Sequence, residues 1–358
     1  MVKTVLTRAH RELFKRPADQ CFTSFNDLWA HCQQMRERST ERWMSPAELT
    51  IVPTDGMLGI EHKRAHAHHP DTWSLNSWSF GQLCSFAGVS RDTVNRLTPD
   101  TASMVFYETM PRNGKPIQLY EQGGTVRSVH PASYTRLENI ELLSIVREFA
   151  TDFVPPQRAG RSDPDTPDAS GGTGLYAGEQ DMFCFLIDPV GWIEIEDEAF
   201  CPGMFVWNSE VGRRSVGIQT FWFQAICANH IVWDATEVVE FTRKHTANVR
   251  DVLPEIRQII HRLVMKRDSR RDQFAKVIRK AMHEHLGTED DDALKLLARH
   301  DIPRAVAKDA LEQARRSGRF TIFSIVDALT RISGNLSYIG DRTDLDEKAS
   351  RLLSLVNA

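Results

Sequence analysis

No run of about eighteen apolar residues occurs anywhere in this chain, so no helix is expected to cross a membrane. Its first residues, MVKTVLTRAHRELFKRP, lack an apolar stretch, and no signal peptide is expected there. Closely spaced cysteines are also missing. The six, Cys21, Cys32, Cys84, Cys184, Cys201 and Cys227, form no C-x-x-C pair and lie mostly in apolar surroundings. They read as reduced core thiols of a cytoplasmic protein rather than a disulfide framework. A zinc site built from Cys201, Cys227 and His230 would lack the usual close ligand spacing, and neither metal nor cofactor is expected. Charge of one sign is not in excess: the net charge is −4 over 358 residues. Any case for nucleic acid must therefore rest on local patches, and a membrane surface is not expected as a partner. G-x-S-x-G, H-E-x-x-H and Walker sequences are absent, which removes the reaction classes they mark.

What is present suits a large soluble body. With 41% hydrophobic and 26% charged residues, the chain can bury a sizeable core in two or three substructures. Helices are expected at 5–16 and 24–38, the second capped by Ser24. Residues 49–61 alternate and turn at Asp55 and Gly56, a hairpin signal, and 115–130 repeat it around Gly123 and Gly124. Between them, 79–97 read as two short helices around Gly88, and 101–110 as another. The amphipathic stretch 136–151 carries Leu137, Ile140, Leu142, Leu143, Val146 and Phe149. The segment 154–180, rich in Pro, Gly, Asp and Ser, has too little to bury and reads as a flexible loop. Strands are expected at 182–187, 191–195 and 203–207. From 236 onward the pattern is helical, with helices at 254–285 (one long or two), 289–299, 303–316, 320–332 and 344–356.

The implied class is α+β, with a largely antiparallel sheet and a C-terminal helical region. The expected organisation is N-terminal helices over 1–45, a first α+β half over 46–153, the loop over 154–180, a second half over 181–250, and helices over 251–358.

Four blocks resemble a known family: 11–29, 78–102, 126–143, and the block opening NSEVGRRSVGIQTFWFQAICANHIVW with RKHT after it. Together they are similar to the phage/plasmid-like family catalogued as domain of unknown function 932, over roughly 10–340. That family has no established catalytic residues to carry over. The resemblance implies a setting of mobile elements, where work on DNA is common.

The densest polar cluster in an apolar setting is 204–246. Asn208, Ser209, Glu210, Arg213 and Arg214 crowd a turn; Asn229, His230, Arg243 and His245 follow. Buried polar groups need partners, so convergence of Asn208, Arg213, Arg214, Asn229 and His230 on one concave, anion-binding surface is expected. Trp207, Phe221, Trp222 and Phe223 beside the arginines suit base stacking on single-stranded nucleic acid, and suit core packing equally. Between 250 and 285 there are ten Lys/Arg against five Asp/Glu, a local excess of +5 in a chain that is negative overall. Arg267, Arg270, Arg271 and Lys276 are the expected phosphate contacts, with a merely solvated helix as the alternative. Residues 82–97 have helix-turn-helix spacing that would project Arg91, Thr93 and Asn95. The histidines His62, His66, His68 and His69 read as a solvated polar loop. No catalytic residue is assigned.

The leading expectation is a non-enzymatic nucleic-acid-binding protein of mobile-element type, for single-stranded DNA binding or annealing, with self-association left open. Three alternatives stay open: an enzyme with its site in 208–245, drawing on Glu210, Cys227, His230 and His245; a helix-turn-helix regulator; and a structural or partner-binding protein.

Overall fold

The computed structural model describes residues 20–62, 71–112, 114–155, 174–196, 198–224, 230–233, 240–245, 249–287, 289–316, 320–335, 345 and 348–357. The expected helix at 5–16, His66, His68 and His69, Cys227, Asn229 and most of the 154–180 loop lie outside them.

The first half runs β1 (Cys21–Phe22), α1 (Phe25–Glu37), β2 (Ser39–Met44), β3 (Leu49–Thr54), β4 (Met57–His62), β5 (Asp71–Leu75), α2 (Ser77–Ala87), α3 (Arg91–Val94), α4 (Pro99–Thr109), β6 (Ile117–Gln122), β7 (Thr125–Pro131) and α5 (Asn139–Phe149). Local chemistry sets most of these bounds. Ser24, Asn76 and Thr98 each accept a backbone N–H of the first turn of the helix that follows, and Pro99 occupies a first-turn site that needs no donor. Both hairpins close on positive-φ pairs, Asp55 and Gly56, then Gly123 and Gly124, as a twisted two-residue loop requires.

Strands β2–β7 form a six-stranded sheet in the order β2-β6-β7-β5-β4-β3, antiparallel except where β5 meets β7. One face packs Ile51, Ile60, Trp73, Ile117, Leu119 and Val129 against Leu83 of α2 and Phe106 of α4.

The second half forms another sheet. It contains β8 (Leu175–Ala177), β9 (Met182–Ile187), β10 (Ile193–Ile195), β11 (Glu198–Asn208), β12 (Val216–Gln224), β13 (His230–Trp233) and β14 (Glu240–Arg243). Its order is β1-β8-β9-β11-β12-β13, with β10 beside β11 and β14 beside β12, and the pairings are antiparallel. Alternation sorts its side chains into two layers. Met182, Cys184, Met204 and Val206 face Leu28, Leu143 and Ile256 on the helical side, whereas Phe183, Phe185, Phe205 and Trp207 join an aromatic layer on the other. Burial on both faces is why these strands read as continuous apolar runs. The expected central antiparallel strands of 182–233 are therefore present.

The C-terminal part holds α6 (Val252–Met265), α7 (Arg267–His283), α8 (Asp290–Arg299), α9 (Arg304–Arg316) and α10 (Ile322–Asn335). The helical 254–285 pattern resolves into two helices that meet at Lys266. Phe274 stacks on Trp222 at 3.9 Å between centroids and fastens α7 to the second sheet. The last stretch is helical over 348–352 and ends in a 3-10 turn, Leu353–Asn357.

Four expectations are corrected. The stretch 154–180 is not a flexible loop throughout, because Leu175–Ala177 is buried and pairs with β1 and β9. Residues 1–45 are not helices alone, because β1 and β2 lie there and join different sheets. The pattern from 236 is not all helical, because Glu240–Arg243 pairs with β12. The second helix of 82–97 is a single turn, since α3 spans four residues.

Candidate functional site

The two sheets meet at a polar junction, and the connection from β11 to β12 lies at its centre. Asn208, Ser209 and Glu210 are all essentially without solvent contact. Burial forces each to find partners across the junction. Glu210 is held by four groups. Its Oε2 accepts from Arg127 Nη1 at 3.2 Å, its Oε1 from the Asn139 N–H at 2.9 Å, and its carbonyl from the Tyr134 hydroxyl at 2.8 Å and from Arg136 Nη1.

Arg127 reaches this position through an irregularity in its own hairpin. Tyr120 pairs with Ser128 and Glu121 with Val126, so Arg127 is the extra residue of a β-bulge, a device that re-aims a side chain. Its Nη2 donates to the Glu179 carbonyl at 2.8 Å. The Arg136 guanidinium carbon lies over Tyr120, 3.6 Å from the ring centroid, and Arg136 donates to Gln118 at 2.8 Å and to Glu41 at 3.3 Å. The two arginines thus sandwich charge and aromatic surface from β2, β6 and β7 against the 209–214 turn.

Beside them is a ring stack. The His130 ring lies 3.6 Å from that of Tyr134 and nearly parallel to it, and His245 stacks on the same tyrosine at 5.5 Å. Burial pushes His130 down to about 3 and His245 down to about 4, so both are neutral at pH 7. His130 Nε2 lies 3.0 Å from the Val211 carbonyl, which assigns its proton to Nε2. The Thr135 backbone lies close enough to His245 to oppose the effect of burial in part. Gly212 allows the turn's close approach to the stack. Its φ is +72°, and a Cβ there would sit 2.8 Å from the His130 ring and 2.9 Å from that of Tyr134.

The expected site residues do not form an open surface. Asn208 turns inward and donates to the Leu137 carbonyl at 2.8 Å and to Asn139 at 2.9 Å. Arg213 bonds Gln180, and Arg214 forms a buried pair with Asp181 at 2.8 Å while covering Phe183. These three fasten the turn to 179–181 and 137–139. His230 opens β13 opposite Gln224, and Arg243 closes β14 opposite Val216; only their backbone positions are described. Trp207, Phe221 and Trp222 are buried, so they pack the core and offer no base a stacking surface. Glu210, engaged by Arg127, is not free to serve as a base in the set with Cys227, His230 and His245.

The basic helices divide similarly. Arg267 pairs with Asp188 and approaches Asp152 at 3.8 Å, Arg270 is buried, and Arg271 pairs with Asp268 at 3.1 Å and Asp272 at 3.4 Å. Of the four expected contacts only Lys276 is exposed without such a partner among the described residues. Other cations do line the solvent side. Backbone bonds continue through Lys266, from Lys266 N to Arg262 O at 2.9 Å and from Arg270 N to Lys266 O at 3.0 Å. Arg262 and Lys266 are i,i+4 neighbours at the end of α6, and Lys276 and Lys280 are i,i+4 neighbours on α7 with Arg279 beside them, so each pair lines one side of its helix. All five are exposed. Lys280 donates to the Val356 carbonyl.

The helix-turn-helix reading fails on geometry. One turn of α3 cannot lie along a groove, and Arg91 folds back onto Ser77 Oγ at 2.7 Å. Among the described residues no group of three or more potential ligands could hold a metal ion, and no helix is long and apolar enough to cross a membrane.

Sequence reasoning missed Arg127, Arg136 and Tyr120. A signal was available: VRSVH places an arginine and a histidine beside Val126 and Val129 in a strand that reads as largely buried, and a buried strand tolerates such residues only with partners.

No family model matches the chain, and no curated protein or solved structure is detectably similar to it.

Proposed function

We propose that this protein binds nucleic acid through the phosphate backbone, using the solvent side of α6 and α7. One observation carries the reading. Arg262, Lys266, Lys276 and Arg279 are exposed on the two helices, and none meets a carboxylate among the described residues. Such a set of cations neutralises phosphates without reading bases. Asp268 and Asp272 flank it and are occupied by Arg271. The resemblance of the four sequence blocks to the phage/plasmid-like family would imply a DNA role in a mobile-element setting. Trp207, Phe221 and Trp222 lie in the core and cannot stack on bases, so the contact is with the backbone common to single strands and duplexes.

Equilibrium binding of single-stranded and duplex DNA at two salt concentrations tests this. With four phosphate contacts, raising salt from about 50 to about 200 mM should weaken binding about 50-fold for a single strand and about 150-fold for a duplex. Replacing Arg262, Lys266, Lys276 and Arg279 together by Gln should remove most of that slope and leave the fold intact. A folded variant with unchanged affinity and slope would reduce these helices to a solvated face.

A further inference from the structure

The junction holds one acidic group that its arginines do not serve. Glu138 precedes α5, and its Oε2 accepts a hydrogen bond from the Tyr120 hydroxyl at 3.3 Å. Glu210 Oε1 accepts the N–H of Asn139, the next residue in the chain, at 2.9 Å, so the two carboxyl groups are neighbours at the start of α5. Neither guanidinium donates to it. Arg127 is committed to Glu210 Oε2 and the Glu179 carbonyl, and Arg136 to the Glu210 carbonyl, Gln118 and Glu41. Two neighbouring carboxylates in a mostly dehydrated site repel strongly, and one proton held between them turns the repulsion into a hydrogen bond.

We infer that Glu138 and Glu210 share one proton, and that this proton helps hold the first sheet to the second. Among the described residues, groups from several elements face the pair. Tyr120 comes from β6, Arg127 from β7, Glu41 from β2 through Arg136, and Arg136 with Tyr134 from the segment before α5. Glu141 of α5 accepts the Glu138 N–H at 3.1 Å, and His31 and Cys32 of α1 feel the Glu210 charge. Burial first, and then the Glu210 charge, raise the Glu138 carboxyl to about 7 against the opposing pull of Arg136. Burial, with Glu210 and Glu138 nearby, holds the Tyr120 hydroxyl protonated, so it stays a donor throughout. When the pair is protonated, Glu138 donates to Glu210, and Glu210 keeps Arg127 and the Asn139 N–H. When the proton leaves, the pair carries two charges, and the contact between 138–139 and 209–210 bears the repulsion. The inference is independent of any nucleic-acid role.

The sign follows from linkage. A carboxyl whose folded value is raised contributes stability that is complete below its unfolded value of 4.5 and is lost as pH rises through about 7. The test uses the full chain and a Glu138→Gln variant. Unfolding by denaturant is followed between about pH 5 and about pH 9, and infrared difference spectra are recorded between about pH 6 and about pH 9. Over that range the unfolding constant of the wild type should rise by on the order of 10- to 100-fold relative to E138Q. The wild type should also show a protonated-carboxyl band at the lower pH that disappears at the higher pH and is absent from E138Q. Parallel pH profiles, or the same band in both proteins, would overturn the inference. Should E138Q not fold, Tyr120→Phe decides. It keeps the ring under Arg136 but removes the hydrogen bond favouring ionised Glu138, so the transition must move to higher pH, and an unmoved transition would overturn the inference equally.

Discussion

Replacing Glu210 with Gln puts the junction under its most direct strain. Arg127 is 4% exposed and Glu210 2%, so the substitution removes the counterion of a buried cation while changing almost no volume. Breaking such a pair costs roughly 3–5 kcal/mol, most of it the penalty for a charge left buried and unpaired. Here the lower end applies. The amide oxygen can still accept the Asn139 N–H, and Arg127 keeps the Glu179 carbonyl and the Tyr120 face 5.0 Å away. About 3 kcal/mol is expected for E210Q, and a similar loss for Arg127→Met, which strands the carboxylate. The double variant strands neither, so its cost should fall below the sum of the two by about 2 kcal/mol or more. Guanidinium unfolding at neutral pH, followed by tryptophan fluorescence and by far-UV circular dichroism, measures all four proteins. Coincident curves with unchanged slopes are required for the cycle to be read. Single variants costing less than about 1 kcal/mol each, or adding without coupling, would show that the pair is no better than a surface salt bridge.

Three further outcomes follow from the same geometry. Gly212→Ala should destabilise by about 1–3 kcal/mol, because it puts an L side chain at φ +72° against His130 and Tyr134; thermal melting checks this. His245, lowered by burial to about 4, contributes stability that is complete above its unfolded value near 6.5 and is lost as pH falls towards 4. His245→Phe keeps a ring on Tyr134 and should flatten the acid limb of the stability profile; an unchanged limb would refute the neutral assignment. Phe274→Ala should cost about 3–5 kcal/mol by emptying the space against Trp222, and proteolysis should then reach α7 to α10 before the sheets; uniform cleavage would refute that order.

Much of the fold was legible in the sequence wherever the cause was local. Ser24, Asn76 and Thr98 act on backbone groups within three residues, and the Asp55–Gly56 and Gly123–Gly124 turns require φ values that few other residues adopt. The unbroken apolar runs of β9 and β11 announced strands buried on both faces. Tertiary structure alone decided the rest, because the deciding partners are distant in the chain. STERWM at 39–44 has no strong local preference and becomes β2 by pairing with β6. Glu240–Arg243 gives up a helical pattern for a place beside β12. Asn208 and Glu210 were recognisable as polar groups in need of partners. That those partners would be Leu137, Asn139 and Arg127, 69 to 83 positions away, follows only from the bulge at Arg127 and the meeting of two sheets. The basic helix divided for the same reason. The count of charges between 250 and 285 is a property of the sequence, but packing against Asp188 and the core withdrew Arg267 and Arg270 and left Arg262, Lys266, Lys276 and Arg279 to face solvent.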